Sequence, residues 1–441
     1  MQYTSELHKY IPGGAHTYSR GEDTVPSNFP KYLKKAKGSY TWDMGNIKYL
    51  DYGGALRANI LGYSNDEVDN AAIEQIKNGN NLTKPSEIEF TAAKKLVDLI
   101  PFVDMVKFAK NGSNVTTAAI KLARAYNNKK YVIICKDHPF FSFDDWFIGT
   151  TELKRGTLFD KGCPFLNSSA ELKFSYNDID SVEEQFKKFP DDIAALIMEP
   201  STLVHPKVYE DGENFLQKVH KLCKKYNSVF ILDEMITGFR FGVKGAASYY
   251  NVEPDLVTYG KAIANGFSLA VLGGKKEIME LGDVVTPGRE RTFLMSSTHG
   301  AEMSSLGALV RNIDFMIENN VSEYIKNYAQ DLIDQGNKIC KELEIEDYFH
   351  FGYIPQNPYF FAKDSNKKDC LKFKTLFVQE MCKNKVLMPF IVISYSHGSD
   401  ELKITLDAIR KSLNIYKKAL NEGVDKYLES YVVKQVFRKF N

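Results

Sequence analysis

Asp233 closes the apolar run SVFIL, and Lys261 follows a second such run, PDLVTYG. A carboxylate emerging from a buried strand is costly unless a cation meets it. A lysine just past a strand's carboxyl end lies where open parallel sheets gather ligands, and a lowered ammonium pKa lets it attack a carbonyl carbon. Singly, the aspartate also reads as a helix or turn cap, and the lysine as one solvated cation among 57 basic residues. Together they meet two requirements of pyridoxal phosphate chemistry: an acid that keeps the ring nitrogen protonated, and a lysine that captures the aldehyde.

A phosphate would need its own cradle. FAKNGSNVTTAAIKLARA (108–125) reads as strand, glycine-containing turn and helix, so the backbone N–H groups at the helix start, the Ser113 hydroxyl and the closely approachable Gly112 suit one. The sequence contains neither a GxGxxG nor a Walker loop. In CKDHPFFSFDDWFIGTT (135–151) five aromatic residues crowd a loop after a strand, and one facing ring could stack on a flat cofactor while the others pack in the core. Arg20, Arg57 and Arg240 are candidates for gripping a carboxylate or phosphate bidentately, each with surface ion pairing as its ordinary alternative. His16, His138 and His299 share no spacing that ties them together and read as structural.

The elements that must position these residues form an α/β rhythm. From about residue 60 to 310, short apolar runs (VKFAK, YVIIC, IAALIME, SVFILDE, DLVTYG) alternate with helical patterns, which predicts a mostly parallel sheet flanked by helices. Residues 31–54 read as a small antiparallel hairpin around Met44 to Asn46, and amphipathic helices with short strands between them follow from about 320. The expected division is a large domain over 60–315 and a smaller α+β domain built from 1–59 and 316–441.

Composition narrows the function classes. The 57 lysines and arginines nearly balance 56 aspartates and glutamates, so a net charge of +1 gives no electrostatic reason to expect nucleic acid or membrane. Without a secretory leader or an 18-residue apolar run, a cytoplasmic location is expected. Cys135, Cys163, Cys223, Cys340, Cys370 and Cys382 show no CxxC or zinc spacing, so they read as reduced packing residues, and no metal is expected.

Taken together, WDMGNIKYLDY, FAKNGSNVTTAAIKLARA, LIMEP, ILDEMITGFR, PDLVTYGKAIANG and SSTHGAE resemble the class III, fold-type I pyridoxal phosphate aminotransferases, most closely the glutamate-1-semialdehyde aminomutase-like branch. The resemblance runs from IPGG near residue 11 to about residue 420. It implies that Lys261 binds the cofactor aldehyde and then carries the proton at the substrate carbon. By the same resemblance Asp233 partners the ring nitrogen, Met235 packs on the ring, Gly112 and Ser113 hold the phosphate, and Phe140 stacks. Thr298 matches a threonine that reaches the phosphate of the neighbouring subunit's cofactor, which implies a homodimer with active sites at the subunit interface.

Departures from the branch concern the substrate. NGSNV stands where aminomutases have SGTEA, putting Asn114 at a glutamate position, and FFS (Phe140–Ser142) replaces YHG. Arg20 matches the position that grips the substrate carboxylate in aminomutases. The expected activity is transfer of an amino group from an amino acid donor, glutamate, to a keto or aldehyde acceptor. The wording KNGS and DDWFIGTT resembles a subgroup that makes amino sugars or other small precursors of bacterial surface glycans. The alternative is a 2,1-aminomutase of the glutamate-1-semialdehyde type. Arg20, Asn114 and Arg240 are the expected substrate contacts.

Overall fold

A computed structural model describes residues 6–138, 140–148, 172–201 and 203–436, leaving Cys163 and part of the aromatic loop after the second apolar run outside the described residues. The chain divides into two compact units, one formed by Met1–Asn65 with Glu323–Asn441 and the other by Asp66–Ser322.

In the first unit β1 (Leu33–Lys37), β2 (Tyr40–Asp43) and β3 (Lys48–Asp51) form an antiparallel meander, and Val386–Leu387 adds alongside β3 in parallel. Lys34, Lys35 and Lys37 line the edge strand β1, where charge discourages pairing with another chain. After β3, Gly54, Ala55, Leu56 and Arg57 all take left-handed φ (50°, 49°, 60° and 75°). Residues with a Cβ resist this by about 1–2 kcal/mol each. The turn is pinned by Asp51, which accepts from Gly53 N (2.6 Å) and Tyr63 Oη (2.6 Å), while Tyr63 Oη accepts from Ala55 N (2.9 Å).

The second unit is built on seven strands: β4 (Met105–Ala109), β5 (Tyr131–Cys135), β6 (Lys173–Phe174), β7 (Ile193–Met198), β8 (Val229–Glu234), β9 (Leu256–Tyr259) and β10 (Ala270–Gly274). Their order is β4-β10-β9-β8-β7-β5-β6, parallel except for β10, which runs antiparallel to both neighbours. Every residue of β7, β8 and β9 is buried, as an unbroken apolar run requires when helices cover both faces. Gly112–Asn127, capped by the Asn111 side chain, packs its small residues Ala118, Ala119 and Ala123 into that core.

The remaining strands, β11 (Phe349–Gly352) and β12 (Tyr359–Ala362), form an antiparallel pair in the first unit, between the long helices Val321–Glu342 and Ser399–Glu422. Among the described residues no helix is long and apolar enough to cross a membrane.

Candidate active site

The carboxyl ends of β8 and β9 lie side by side, with Asp233 in register with Thr258. Asp233 is 3 % exposed, and both hydrogen bonds its carboxylate accepts among the described residues go to Oδ1, from Met235 N at 2.9 Å and Thr258 Oγ1 at 3.1 Å. Burial raises its pKa to about 6, and the nearby Lys261 charge and the two donors only partly offset that rise. The next residue, Glu234, is also fully buried. Its carboxylate accepts from Ala246 N (2.6 Å), Ala247 N (2.8 Å) and Thr237 Oγ1 (3.1 Å), yet burial still raises it to about 7. Gly245, at φ 81°, is the reason this works, because a Cβ there would lie 2.7 Å from the Glu234 carboxylate.

Lys261 begins a 3-10 turn immediately after Gly260 and takes φ 47°, an uncommon conformation for a residue with a Cβ. Gly260 is glycine for lack of room: a Cβ would meet Met235 Sδ at 2.5 Å. The same sulfur would lie 3.0 Å from a Cβ at Gly112. The Met235 thioether thus fills a slot between the residue before Lys261 and the start of the helix Gly112–Asn127. It brings the ends of β8 and β9 and that helix start to one place.

At the helix start, Asn114 N is taken by the Asn111 side chain (3.1 Å), and Ser113 Oγ accepts from Phe143 N (3.1 Å). The Ser113 oxygen is thereby fixed while its proton remains a donor. Thr117 ties the aromatic loop to the same helix by accepting from Trp146 Nε1 (2.8 Å) and bonding Ser142 (3.2 Å) and Asp144 (2.5 Å). Phe141 and Phe147 are buried, whereas Phe140 is 42 % exposed and meets Phe147 edge-on at 5.8 Å between centroids.

The other expected residues sit apart from this cluster or in a different setting. Asn114 is exposed in the first helical turn. Thr298 is exposed in the stretch before the helix Met303–Glu318, and its carbonyl accepts from Asn81 Nδ2 at 3.1 Å. Arg240 is 3 % exposed, between Phe239 and Phe241 in the turns after β8. Arg20 lies exposed in the first unit, where its charge acts on Tyr63. His138 is buried and held neutral, its pKa lowered to about 3, with Nδ1 accepting from Glu199 N at 3.1 Å. His16 and His299 are exposed.

Thr258, Glu234 and Asn312 escaped the sequence reading. Thr258 is a hydroxyl inside an apolar strand, Glu234 an acid beside an acid, and Asn312 a buried amide in an otherwise apolar helix face whose Nδ2 bonds the Ala262 and Ile263 carbonyls. A polar residue at a core position is the signal each carries, but sequence does not name its partner.

The cluster fits pyridoxal phosphate. A buried carboxylate with both described hydrogen bonds on one oxygen suits a ring N–H at the other. A fixed hydroxyl at a helix N-terminus suits a phosphate, and a lysine two residues past the neighbouring strand suits an aldehyde. Among the described residues no cluster of His, Cys, Asp or Glu could hold a metal ion.

Known proteins place the chain further. The family model described as aminotransferase class-III matches residues 22–348. A glutamate-1-semialdehyde 2,1-aminomutase of Francisella philomiragia is 32 % identical over 355 residues, 79 % of each chain. A 3-aminobutyryl-CoA aminotransferase of Cloacimonas acidaminovorans is 31 % identical over 428 residues, 95 % of this chain and 98 % of its own. The solved structure of the FumI protein of Sphingopyxis sp. MTA144 in its PLP form superposes with a TM-score of 0.80 at 23 % identity, covering 94 % of this chain and 96 % of that one. The chain belongs to the class-III aminotransferases, enzymes of fold type I that depend on pyridoxal phosphate.

Proposed function

We propose that this enzyme moves an amino group from glutamate to an aldehyde or ketone acceptor, a sugar or small precursor of a bacterial surface glycan, by alternate reaction with donor and acceptor. The observation that carries the catalytic half is the pairing of β8 and β9, which sets a buried, half-occupied Asp233 carboxylate beside the turn bearing Lys261. When bound, pyridoxal phosphate supplies an electron sink for the bond broken at the amino-bearing carbon.

In this reading Asp233 holds the ring nitrogen protonated, and Lys261 first binds the aldehyde and then moves the proton at the substrate carbon as general base and acid. Met235 packs on the ring, Phe140 offers its exposed face for stacking, and Gly112 and Ser113 hold the phosphate. Arg20, Asn114 and Arg240 meet the substrate, the buried Arg240 only where water is excluded. Thr298 lies in an exposed stretch, with Phe293 67 % and Val285 79 % exposed, which supports its reaching a second subunit in a homodimer. A cytoplasmic location completes the reading.

Transfer between two molecules is favoured over an internal 2,1-shift by the relative that matches over the greater length: the CoA aminotransferase spans 95 % of this chain, the aminomutase 79 %. The test is to mix the purified holoenzyme with glutamate, following cofactor absorbance and 2-oxoglutarate. Bleaching with stoichiometric 2-oxoglutarate is expected. An absence of reaction with every amino acid donor, with turnover of an amino-aldehyde in its place, would establish the aminomutase. Acceptors are then screened with the amino-loaded enzyme among keto sugars, nucleotide-linked keto sugars, semialdehydes and 3-keto thioesters.

A further inference from the structure

We propose that Asn312 is a positioning residue for Lys261, its buried amide holding the lysine's backbone turn in its left-handed conformation. The proposal rests on Lys261 being the lysine that binds the cofactor.

A left-handed residue with a Cβ is disfavoured and persists only when its surroundings over-determine it. Around Lys261 the turn's own bonds, Ile263 N to Gly260 O (3.1 Å) and Asn265 N to Ala262 O (3.3 Å), close a single 3-10 turn that ends on a second left-handed residue, Asn265 at φ 45°. Asn312 supplies an external constraint. From the helix Met303–Glu318 its Nδ2 donates to Ala262 O at 3.0 Å and Ile263 O at 2.9 Å, so the two carbonyls that follow Lys261 converge on one amide nitrogen. The reverse amide orientation would set Oδ1 against both carbonyl oxygens, so the chemistry fixes the assignment.

The cost of this arrangement shows its purpose. Asn312 is fully buried on a helix face shared with Leu309, Ile313 and Met316, and its Oδ1 accepts no hydrogen bond among the described residues. An unsatisfied buried acceptor is costly, and a leucine of similar volume would avoid that cost. A residue kept only for packing would be apolar, so the side chain is explained by what Nδ2 holds. A fixed backbone returns the Lys261 amine to the same place at each proton transfer, and a misplacement of about 1 Å can cost roughly 100-fold in rate.

The test compares wild type with Asn312→Leu, which keeps the volume but removes both donors, and Asn312→Ser, a smaller change that keeps one hydroxyl donor and serves if the leucine variant fails to fold. Hydrogen exchange at residues 261–267 in the cofactor-free chain should quicken at least tenfold in either variant, while the strands of the sheet keep their protection. In the holoenzyme the pH midpoint of the cofactor's visible absorbance should move, and kcat should fall more than KM changes, with serine milder than leucine. Unchanged exchange and an unchanged absorbance midpoint in a folded variant would overturn the proposal, even if thermal stability fell. Lys261→Ala separates the two claims: if that variant still holds the cofactor covalently, the reading of Lys261 fails; if it does not and the Asn312 variants behave as wild type, only the positioning role fails.

Discussion

The end of β8 and the loop after β5 are built in opposite ways. At β8, the buried Glu234 carboxylate has both oxygens met by backbone and hydroxyl donors and the buried Asp233 carboxylate has one, with Met235 wedged against Gly112 and Gly260. After β5, Phe141 and Phe147 anchor the loop, Thr117 and Ser113 tie it to a helix, and Phe140 and Phe143 remain 42 % and 58 % exposed. The first region can tolerate almost no change of shape or charge; the second can change its exposed side chains at little cost. In the proposed reading the first region holds the cofactor ring, and the second, beyond the stacking Phe140, is where substrate choice can vary. FFS at 140–142 departs from the aminomutase pattern at the exposed Phe140 and also at the buried Phe141 and Ser142, so the loop's anchor differs too, whereas Asp233 keeps to the pattern.

Substitutions should rank accordingly. In the proposed reading Lys261→Ala removes both the covalent anchor and the proton carrier, and loss of a positioned acid and base alone lowers turnover by roughly 10²–10⁴-fold. Single-turnover bleaching with glutamate measures this. Asp233→Asn keeps the shape but removes the charge proposed to face the ring nitrogen, so kcat should fall by about 10²–10³-fold, the scale of a lost preorganised electrostatic partner. Arg20→Gln should raise KM for an anionic substrate with little change in kcat, by about 10–100-fold if charge-assisted hydrogen bonds of roughly 1.5–3 kcal/mol are lost. Ser113→Ala should weaken cofactor retention by about tenfold, the lower end of what one hydrogen bond to a charged phosphate is worth, read by dialysis or fluorescence titration. A substrate KM changed by Ser113→Ala with cofactor retention intact, or a lost cofactor from Arg20→Gln, would overturn the roles proposed for these two residues.

The smallest effect is on pH. Burial raises Asp233 to about 6 from an ordinary 3.8 and Glu234 to about 7 from 4.5. Between those values the folded, cofactor-free chain binds more protons than the unfolded one. Their contribution to stability is therefore complete below the unfolded pKa values and is lost as pH rises through about 6 and 7. Thermal midpoints of the cofactor-free chain should fall across that window, less steeply in Asp233→Asn.

What the sequence made legible was set by burial. A charged residue ending a fully apolar run marks a strand end, and for that reason Asp233 and Lys261 could be read directly. Thr258 could not, because its partner Asp233 lies 25 residues away across a strand pair. Asn312 lies about 50 residues beyond the carbonyls it holds, on another element. β10 was hidden for a different reason. Glycine weakens a strand, yet Gly274 is required because a Cβ would stand 2.5 Å from Leu256 and 2.6 Å from Asp255 O. The aromatic loop announced its rings but not which one would stay exposed, since that depends on how Thr117 and Ser113 pull the loop onto their helix.

The central claim is that Lys261, beside Asp233, is the covalent seat of pyridoxal phosphate. Reduction of the holoenzyme with borohydride, followed by peptide mass mapping, tests it directly. The account predicts a phosphopyridoxyl adduct on Lys261 alone, absent from Lys261→Ala; an adduct on any other lysine of the wild-type chain would contradict it.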